Sequence, residues 1–180
     1  MAAIAGGDHQ AFQILMGRHM KSVLALAQRM MGTVIDADEI AQEAFLRVWR
    51  TASRWRLDGG SRFTTWLYRV VVNLCLDRRR RAPFEPLERA ENAVDASTPG
   101  GLASLALLEA RGIVAEALAT LPDRQRAAIV LYYFSEVSAP EAARVLELSI
   151  SALESLLVRG RRNMKKHLAG RGVRELGDVL

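Results

Sequence analysis

Residues 138–168, SAPEAARVLELSISALESLLVRGRRNMKKHL, predict two helices joined by a tight turn. Ser138 and Glu141 have the three-residue spacing of a capping box. Pro140 suits the first turn, because a helix leaves its first N–H groups without partners. The turn itself falls on the segment from Glu147 to Ser149. Two helices joined by so short a turn cross steeply, as they do in DNA-binding helix-turn-helix folds.

The second helix of this pair is predicted from about Ser151 to Leu168, with two distinct faces. The apolar face should pack inward; it carries Leu153, Leu157, Gly160, Met164 and Leu168. The opposite face is polar and basic; it carries Ser155, Arg159, Arg162, Lys165 and Lys166. From Val158 to Arg174 there are seven Lys or Arg and no acid. This pattern matches a major-groove helix whose basic end holds phosphates while its N-terminal residues meet base edges. A solvated basic helix at the end of a bundle is the alternative.

A second basic region lies upstream, where eight arginines and two acids fall between Arg54 and Arg81. We expect a helix from Ser61 through this region. Its core face consists of Phe63, Leu67, Val70 and Leu74. The other side presents an arc of Arg62, Thr65, Arg69, Asn73 and Arg80, bordered by Trp66. The nearby rings are Trp55, Phe63, Trp66 and Tyr68. Rings beside basic residues suit the stacking of unpaired bases, although each ring alone is also a typical core residue.

The remaining elements are also predicted to be helical, because apolar residues recur at three- and four-residue steps. Asp8 should cap a helix that stops at Gly32, and Asp36 should open the next with Glu39 as the capping-box acid. Further helices are expected over 103–120 and from Pro122 to about Phe134.

Residues 82–102 differ in composition from both flanks, with Pro83, Pro86, Pro99 and a Gly100-Gly101 pair. Because proline and glycine disfavour helix and strand, we interpret this stretch as a flexible linker. The predicted fold is therefore all-α: two small helical domains at 1–81 and 103–172, the second a helix-turn-helix, followed by a tail at 173–180.

The composition of the 180 residues is typical of a folded soluble protein: half are hydrophobic, and the net charge is +5. No apolar run reaches the ~20 residues of a membrane span, and no leader pattern is present, so we expect a cytoplasmic protein. The single cysteine, Cys75, excludes an internal disulfide and should be a buried small hydrophobe. His9, His19 and His167 are scattered. We therefore expect no metal, no cofactor and no catalytic site.

Two parts of the chain resemble the bacterial sigma factors of the extracytoplasmic-function (ECF) type. The strings DEIAQEAF at 38–45 and RFTTWLYR at 62–69, continuing to Asn73, resemble the second conserved region of that family. The string LPDRQR at 121–126, with the helix-turn-helix after it, resembles the fourth region. Both occur in the family's order with a linker between them, and together they cover nearly the whole chain.

The resemblance implies three kinds of partner: RNA polymerase core, promoter DNA and a membrane-associated or soluble anti-sigma factor. Core polymerase would be bound at the clamp helices of its beta-prime subunit, through Asp38, Gln42, Glu43 and Arg47. The −10 element would be read and melted by the loop around Trp55–Ser61 and the helix after it, with Trp55, Arg56, Arg62, Thr65, Trp66, Arg69, Asn73 and Arg80. Asn73 matches a position that contacts a flipped base. The −35 element would be read by Ser151, Glu154, Ser155, Arg159, Arg162, Lys165 and Lys166.

The chain departs from the family pattern within the helix-turn-helix. Glu147 replaces the glycine often found in the turn, and Ile150-Ser151-Ala152 replaces a small residue and a threonine. Glu154 and Leu156 stand where basic residues are usual. Glu154 can accept a hydrogen bond from a cytosine amino group, or it can be the capping-box acid of Ser151. We favour capping. The loop at Arg56–Gly60 is also slightly longer than the common form.

Two other functions compete with the sigma-factor interpretation. A stand-alone helix-turn-helix regulator with a sensing or dimerisation domain would form dimers and bind a palindromic site. A helical adaptor that binds only proteins does not need the polar and basic arc around Asn73, so this arc argues against an adaptor. The sequence leaves open whether the two domains lie against each other or apart.

Overall fold

The fold of this chain was obtained as a computed structural model that describes residues 1–55, 62–81, 111–135 and 137–170. Within these ranges the chain forms helices and no strand, as predicted. The N-terminal unit comprises α1 (Ala2–Ala5), α2 (His9–Met31), α3 (Val34–Thr51), a 3-10 turn (Ala52–Arg54) and α4 (Phe63–Arg81). The C-terminal unit comprises α5 (111–119), α6 (Asp123–Ile129), a π-helical turn (Val130–Phe134), α7 (Ala139–Leu146) and α8 (Ile150–Ala169).

Several sequence predictions fall outside the described residues. These are the start of the third helix at Ser61, the side chain of Arg56, the linker at 82–102, residues 103–110 of the next helix, and the tail at 173–180. The domain boundaries at 81 and 103 therefore stay predictions.

The N-terminal unit is a bundle in which α2, α3 and α4 pack against one another. Asp8 caps α2 by accepting from the Ala11 N–H at 2.9 Å, and Gly32 ends it at φ 86°, both as expected. The prediction that Asp36 opens α3 was wrong by one turn. Thr33 is the cap: its hydroxyl oxygen accepts from the Asp36 N–H and donates to the Asp36 carboxylate, 2.6 Å away. Glu39 instead pairs with Arg78 at the end of α4.

The side of α4 that faces the bundle contains Leu67, Val71, Leu74 and Cys75, all buried. Burial raises the pKa of the Cys75 thiol to about 12, so the thiol is neutral at physiological pH. The prediction that this cysteine is a small buried hydrophobe is confirmed. Phe63 and Val70, also predicted for the core face, are only partly buried.

The C-terminal unit contains the expected helix-turn-helix, made by α7 and α8. The turn is a Schellman motif in which the Leu148 N–H donates to the Ala143 carbonyl at 2.9 Å and the Glu147 N–H to the Arg144 carbonyl. Glu147 adopts the left-handed conformation, φ 55° and ψ 48°, that glycine usually supplies. For a residue with a side chain this conformation costs roughly 1–2 kcal/mol.

The start of α8 differs from the sequence prediction. Ser149, not Ser151, is the N-cap and accepts from the Ala152 N–H. Because Glu154 lies five residues beyond this cap, its interpretation as a capping-box acid was wrong. Pro122 likewise stands at the N-cap of α6 rather than inside its first turn. The five predicted inward residues of α8 are all buried: Leu153, Leu157, Gly160, Met164 and Leu168.

The two units share one continuous core, with α4 against α7 and α2 against α6 and the π-helical turn. At this junction lies Arg126, which is 1% exposed. Its Nη1 donates to the Met30 carbonyl at 2.8 Å, and its Nη2 donates to the carbonyls of Ala119 at 2.6 Å and Leu121 at 3.5 Å. These acceptors lie at the C-terminal ends of α2 and α5, where carbonyls lack helical partners and a positive charge is favourable.

Burial, together with nearby Arg79, lowers the pKa of Arg126 to about 10. The guanidinium therefore stays protonated at neutral pH. The cation donates to backbone carbonyls of both units, and the nearby carboxylate of Asp123 favours its charged form.

Gly160 should be required for the approach of α8 to α6. A Cβ added there would lie 2.8 Å from Cγ1 of Ile129 and 3.6 Å from the Gln125 carbonyl oxygen. We expect Gly160→Ala to lower the free energy of unfolding by about 1–2 kcal/mol, because overpacking outweighs the gain in helix propensity. Gly17→Ala in α2, with open space around the new Cβ, should instead raise it by about 0.5–1 kcal/mol. Urea denaturation measures the free energy of unfolding of both variants. Equal changes in the two would contradict the close packing of α8 against α6 at Gly160.

Arg126→Met should lower the free energy of unfolding by about 3 kcal/mol, since carbonyls of both units lose their donor while the volume stays filled. Arg124→Met is the matched control. It removes the same charge from an exposed residue whose Nη2 donates to one carbonyl, that of Leu146 at 3.1 Å, and it should cost about 1 kcal/mol. If both variants were equally stable, Arg126 would not join the two units.

Candidate nucleic-acid interface

The outward face of α4 carries four of the eight residues predicted for the −10 element. Arg62, Arg69, Asn73 and Arg80 lie within one narrow arc, because their spacings of seven, four and seven residues are close to whole helical turns. We call these four residues the α4 arginine face. Arg62, Asn73 and Arg80 are exposed, and Arg80 pairs with Asp77 one turn earlier. Thr65 does not join them: it is 4% exposed in this arrangement.

The aromatic rings beside this face contact one another. The ring centroid of Trp55 lies 5.7 Å from that of Phe63 and 5.2 Å from that of Trp66, both in edge-to-face geometry. His19 contacts Phe63 from the other side. All four are partly buried. In this arrangement the rings of Trp55 and Trp66 therefore pack into a cluster at the start of α4. They do not form a row of exposed rings on which bases could stack.

The C-terminal unit contacts the first half of the α4 arginine face, although the Arg62 side chain stays 81% exposed. The Nη1 of Arg62 lies 3.3 Å from Oε1 of Glu141 in α7. The Nη1 of Arg69 lies 3.3 Å from Oε1 of Glu147, and its Nη2 donates to the Arg144 carbonyl at 2.7 Å. The second half of the face, with Asn73 and Arg80, is exposed.

Two further arginines of the N-terminal unit contact the C-terminal unit. Arg79 Nε donates to Oδ1 of Asp123, in the first turn of α6, at 2.5 Å. The guanidinium carbon of Arg29 lies 4.9 Å from the ring centroid of Phe134. A cleft of about 470 Å³ lies between the units, and its lining includes Lys21, Arg29, Arg62 and Glu141. The boundary between the units is thus basic on the N-terminal side.

The second candidate surface is the outer face of α8. All residues predicted for the −35 element are exposed: Ser151, Glu154, Ser155, Arg159, Arg162, Lys165 and Lys166. Arg159 Nε donates to the Ser155 carbonyl at 3.1 Å, and the Ser155 hydroxyl donates to the Ser151 carbonyl. Within the described residues, none of the Lys or Arg of α8 forms an ion pair with an acid of this chain. A row of unneutralised cations beside a short-turn helix pair suits a DNA backbone.

The third candidate surface is the outer face of α3, with the predicted polymerase-binding residues. Asp38 and Gln42 are exposed, and Glu43 accepts from Arg47 Nε at 3.0 Å. Sequence reasoning missed two apolar neighbours: Ile35 is 75% exposed and Leu46 is 47% exposed. The helical period of 3.6 residues places both on the same side of α3 as Gln42. Because that side lies outside the apolar stripe of α3, the sequence could have indicated that both apolar side chains are exposed.

The described residues hold no cluster of three or more His, Cys, Asp or Glu that could bind a metal ion. Among the same residues no helix is long and apolar enough to cross a membrane.

Sequence reasoning also missed the acids that meet the arginines of the N-terminal unit. Glu141 was interpreted only as the acid of a capping box, and that prediction was wrong: Ser138 is the N-cap, but its side chain accepts no cap hydrogen bond, and its hydroxyl instead donates to Oε2 of Glu141 at 2.9 Å.

Comparison with known proteins finds two family matches, one in each unit. The family profile "Sigma-70 region 2" matches residues 15–83, which include α3 and α4. The profile "Sigma-70, region 4" matches residues 111–164, which include the helix-turn-helix. The ECF RNA polymerase sigma factor SigW of Bacillus subtilis is 30% identical over 178 residues, covering 90% of this chain and 91% of its own. SigM of Mycobacterium tuberculosis is 35% identical over 171 residues, covering 93% and 82%.

Solved structures show the same fold. CnrH, solved in complex with the cytosolic domain of CnrY, is 30% identical and aligns with a TM-score of 0.69 over 94% of each chain. The sigma factor RpoE of Bartonella quintana, solved with the anti-sigma factor NepR, is 20% identical with a TM-score of 0.68, covering 89% of this chain and 98% of its own. The two family profiles and the relatives that match along most of their length show that this chain belongs to the ECF sigma factors of the sigma-70 family.

Proposed function

We propose that this chain binds RNA polymerase core and directs initiation at promoters with two elements. The −10 element is read by the α4 arginine face and the −35 element by the outer face of α8. The observation that carries the proposal is the presence, on two helices of one chain, of two basic surfaces within the two matched sigma regions. Because both readers are tethered on one polymerase, each can be weak alone.

The outer face of α3 is our candidate for the contact with core polymerase. It combines exposed apolar anchors, Ile35 and Leu46, with the polar residues Asp38, Gln42 and the Glu43–Arg47 pair. Apolar anchors inside a polar surround are typical of protein interfaces. We assign this contact to the clamp helices of the beta-prime subunit, as the family resemblance implies.

The assignment of regions follows from these surfaces. Residues 1–81 would bind polymerase and read and melt the −10 element, 82–102 would be the linker, and 103–172 would read the −35 element. The chain would act in the cytoplasm by binding and positioning, with the chemistry left to the polymerase. We also propose control by an anti-sigma protein, membrane-associated or soluble. The solved complex of the 30% identical CnrH with the cytosolic domain of CnrY supports a protein partner.

Asn73→Ala should reduce promoter opening by about 5- to 30-fold, the worth of a lost bidentate contact to a base, while core binding stays unchanged. The side chain is exposed, so the substitution leaves the core of the N-terminal unit intact. Permanganate reactivity of unpaired thymines measures opening, and co-purification with core measures binding. Equal loss of both activities would show that Asn73 is structural.

Arg159→Gln and Arg162→Gln, made separately, should each weaken holoenzyme binding to a −35 element. Each should also reduce the slope of log K against log salt by about one, if the residue contacts one phosphate. Arg18→Gln in α2 removes the same charge from an exposed residue of the other unit and should leave the slope unchanged. Fluorescence anisotropy across a salt series measures the slopes. A slope that stays at the wild-type value would remove that arginine from the interface.

A further inference from the structure

The outer face of α8 carries a single acid, Glu154, among its cations. Glu154 is exposed, and within the described residues its side chain forms neither an ion pair nor a hydrogen bond. A partner on the same helix would stand three or four residues away. Those positions hold Ile150, Ser151, Leu157 and Val158, and none of them is basic. The carboxylate is therefore available to a ligand that approaches this face.

The two roles that usually explain an acid near the start of a helix do not fit Glu154. Ser149 caps α8 by accepting from the Ala152 N–H at 3.2 Å, and Ala152 itself occupies the capping-box position three residues after the cap. Glu154 lies in the second turn, where the favourable field of the helix N-terminus has faded. An acid on this face also repels DNA phosphates, and a favourable contact with a base would offset that repulsion.

The polar groups around Glu154 are already engaged within the helix. The Ser155 hydroxyl donates to the Ser151 carbonyl at 3.0 Å, and the hydroxyl oxygens of Ser149 and Ser151 lie 3.2 Å apart. Arg159 Nε donates back along the helix to the Ser155 carbonyl. In the first two turns of α8, Glu154 is therefore the exposed polar side chain that keeps its full hydrogen-bonding capacity.

Two exposed apolar side chains stand one turn before and one turn after Glu154. Ile150 is 49% exposed and Val158 is 56% exposed. Spacings of four residues place the three side chains along one flank of α8, and the same flank continues to Arg161 and Lys165. A recognition helix that contacts bases with its first turns and phosphates with its basic end has this order of residues.

The base edges in the major groove differ in how they suit a carboxylate, which can only accept hydrogen bonds. Guanine and thymine present acceptors there, whereas cytosine and adenine present an amino group. Adenine places its N7 acceptor beside that amino group, where it repels a carboxylate. Cytosine is therefore the base that suits Glu154. Thymine presents a methyl group, which suits an exposed aliphatic side chain.

We propose that Glu154 determines the base specificity of α8 by accepting a hydrogen bond from the N4 amino group of a cytosine in the −35 element. Ile150 and Val158 pack against the methyl groups of thymines near that cytosine, on either strand. The proposal rests on the function proposed above for the outer face of α8. One helical turn of about 5 Å spans about two base pairs, so each thymine lies within about two base pairs of the cytosine.

The primary test selects promoters from a pool of linear DNA duplexes whose central segment is random and long enough for two elements. Duplexes that hold core polymerase together with this chain against heparin are sequenced, and core polymerase alone gives the background. The wild-type chain should enrich an upstream block in which one position is cytosine and a neighbouring position is thymine.

Glu154→Gln should change the preferred base at that one position from cytosine to adenine. The amide keeps the shape of the side chain and offers a donor beside an acceptor, which matches the adenine edge. We expect the ratio of adenine to cytosine at the position to rise by about tenfold, with the rest of the block unchanged. Glu154→Ala should lose the cytosine preference and gain no other. Because the side chain is exposed, neither variant should change the melting temperature appreciably.

The matched control is Glu39→Gln, the same change in charge and shape at an exposed acid of the N-terminal unit. Glu39 pairs with Arg78 of its own unit and lies far along the chain from α8. This variant should select the same upstream block as the wild type. If it alters the cytosine position as Glu154→Gln does, net charge explains both results and the proposal is overturned.

A second readout removes single groups from the DNA of one selected duplex. Pyrimidin-2-one in place of the cytosine lacks the N4 amino group and should weaken holoenzyme binding by about tenfold, but should have no effect on Glu154→Ala. Uracil in place of a nearby thymine lacks the methyl group and should weaken binding by about two- to fourfold. That loss should disappear in Ile150→Ala or in Val158→Ala, according to which side chain contacts the methyl group.

The outcomes separate this inference from the function on which it rests. If an upstream block is enriched but no cytosine position responds to Glu154→Gln, Glu154 does not read cytosine and the inference is wrong, while the −35 role of α8 stands. If the amino group of the cytosine matters equally to the wild type and to Glu154→Ala, the inference is also wrong. If the chain enriches no upstream block beyond that of core polymerase alone, α8 does not read a −35 element, and both proposals fail.

Discussion

The buried guanidinium of Arg126 is the interaction on which the arrangement of the chain depends. It binds carbonyls at the ends of α2 and α5, and so it connects the last turn of α2 in the N-terminal unit to the end of α5 in the C-terminal unit. A charge this deeply buried needs hydrogen-bond acceptors, and the two Nη atoms find theirs in both units, which favours one position of α6 relative to α2, while the buried Nε has no partner. In the same arrangement α7 packs against α4, where it contacts Arg62 and Arg69.

The helix-turn-helix carries two kinds of charge for two kinds of contact. The outer face of α8 presents lysines and arginines with no acid of the described chain against them, as a surface for DNA needs. The other end of the motif presents Glu141 and Glu147 to α4. The same small domain therefore contacts the N-terminal unit with one side and leaves free the side that we propose for DNA.

Much of the fold was predictable because local rules decide it. The caps at Asp8 and Gly32 and the inward face of α8 follow from spacing and backbone preference, and each was confirmed. The first residues of α3 and α8 were less predictable. Thr33 competes with Asp36 as the cap of α3, and Ser149 competes with Ser151 as the cap of α8, so residue type alone does not choose between them. The contacts of Arg69 and Arg126 could not be predicted from the sequence. They join residues about 75 and 96 positions apart, and no local pattern encodes such a distance.

The central claim is that one chain supplies two promoter readers to RNA polymerase. The most direct measurement is sequencing of the 5′ ends of RNA made in vitro from fragmented genomic DNA of the source organism, by its core polymerase with and without this chain. The account predicts a discrete set of start sites that appears only with the chain, preceded by two shared sequence blocks at a fixed spacing. A distribution of start sites equal to that of core polymerase alone would contradict it.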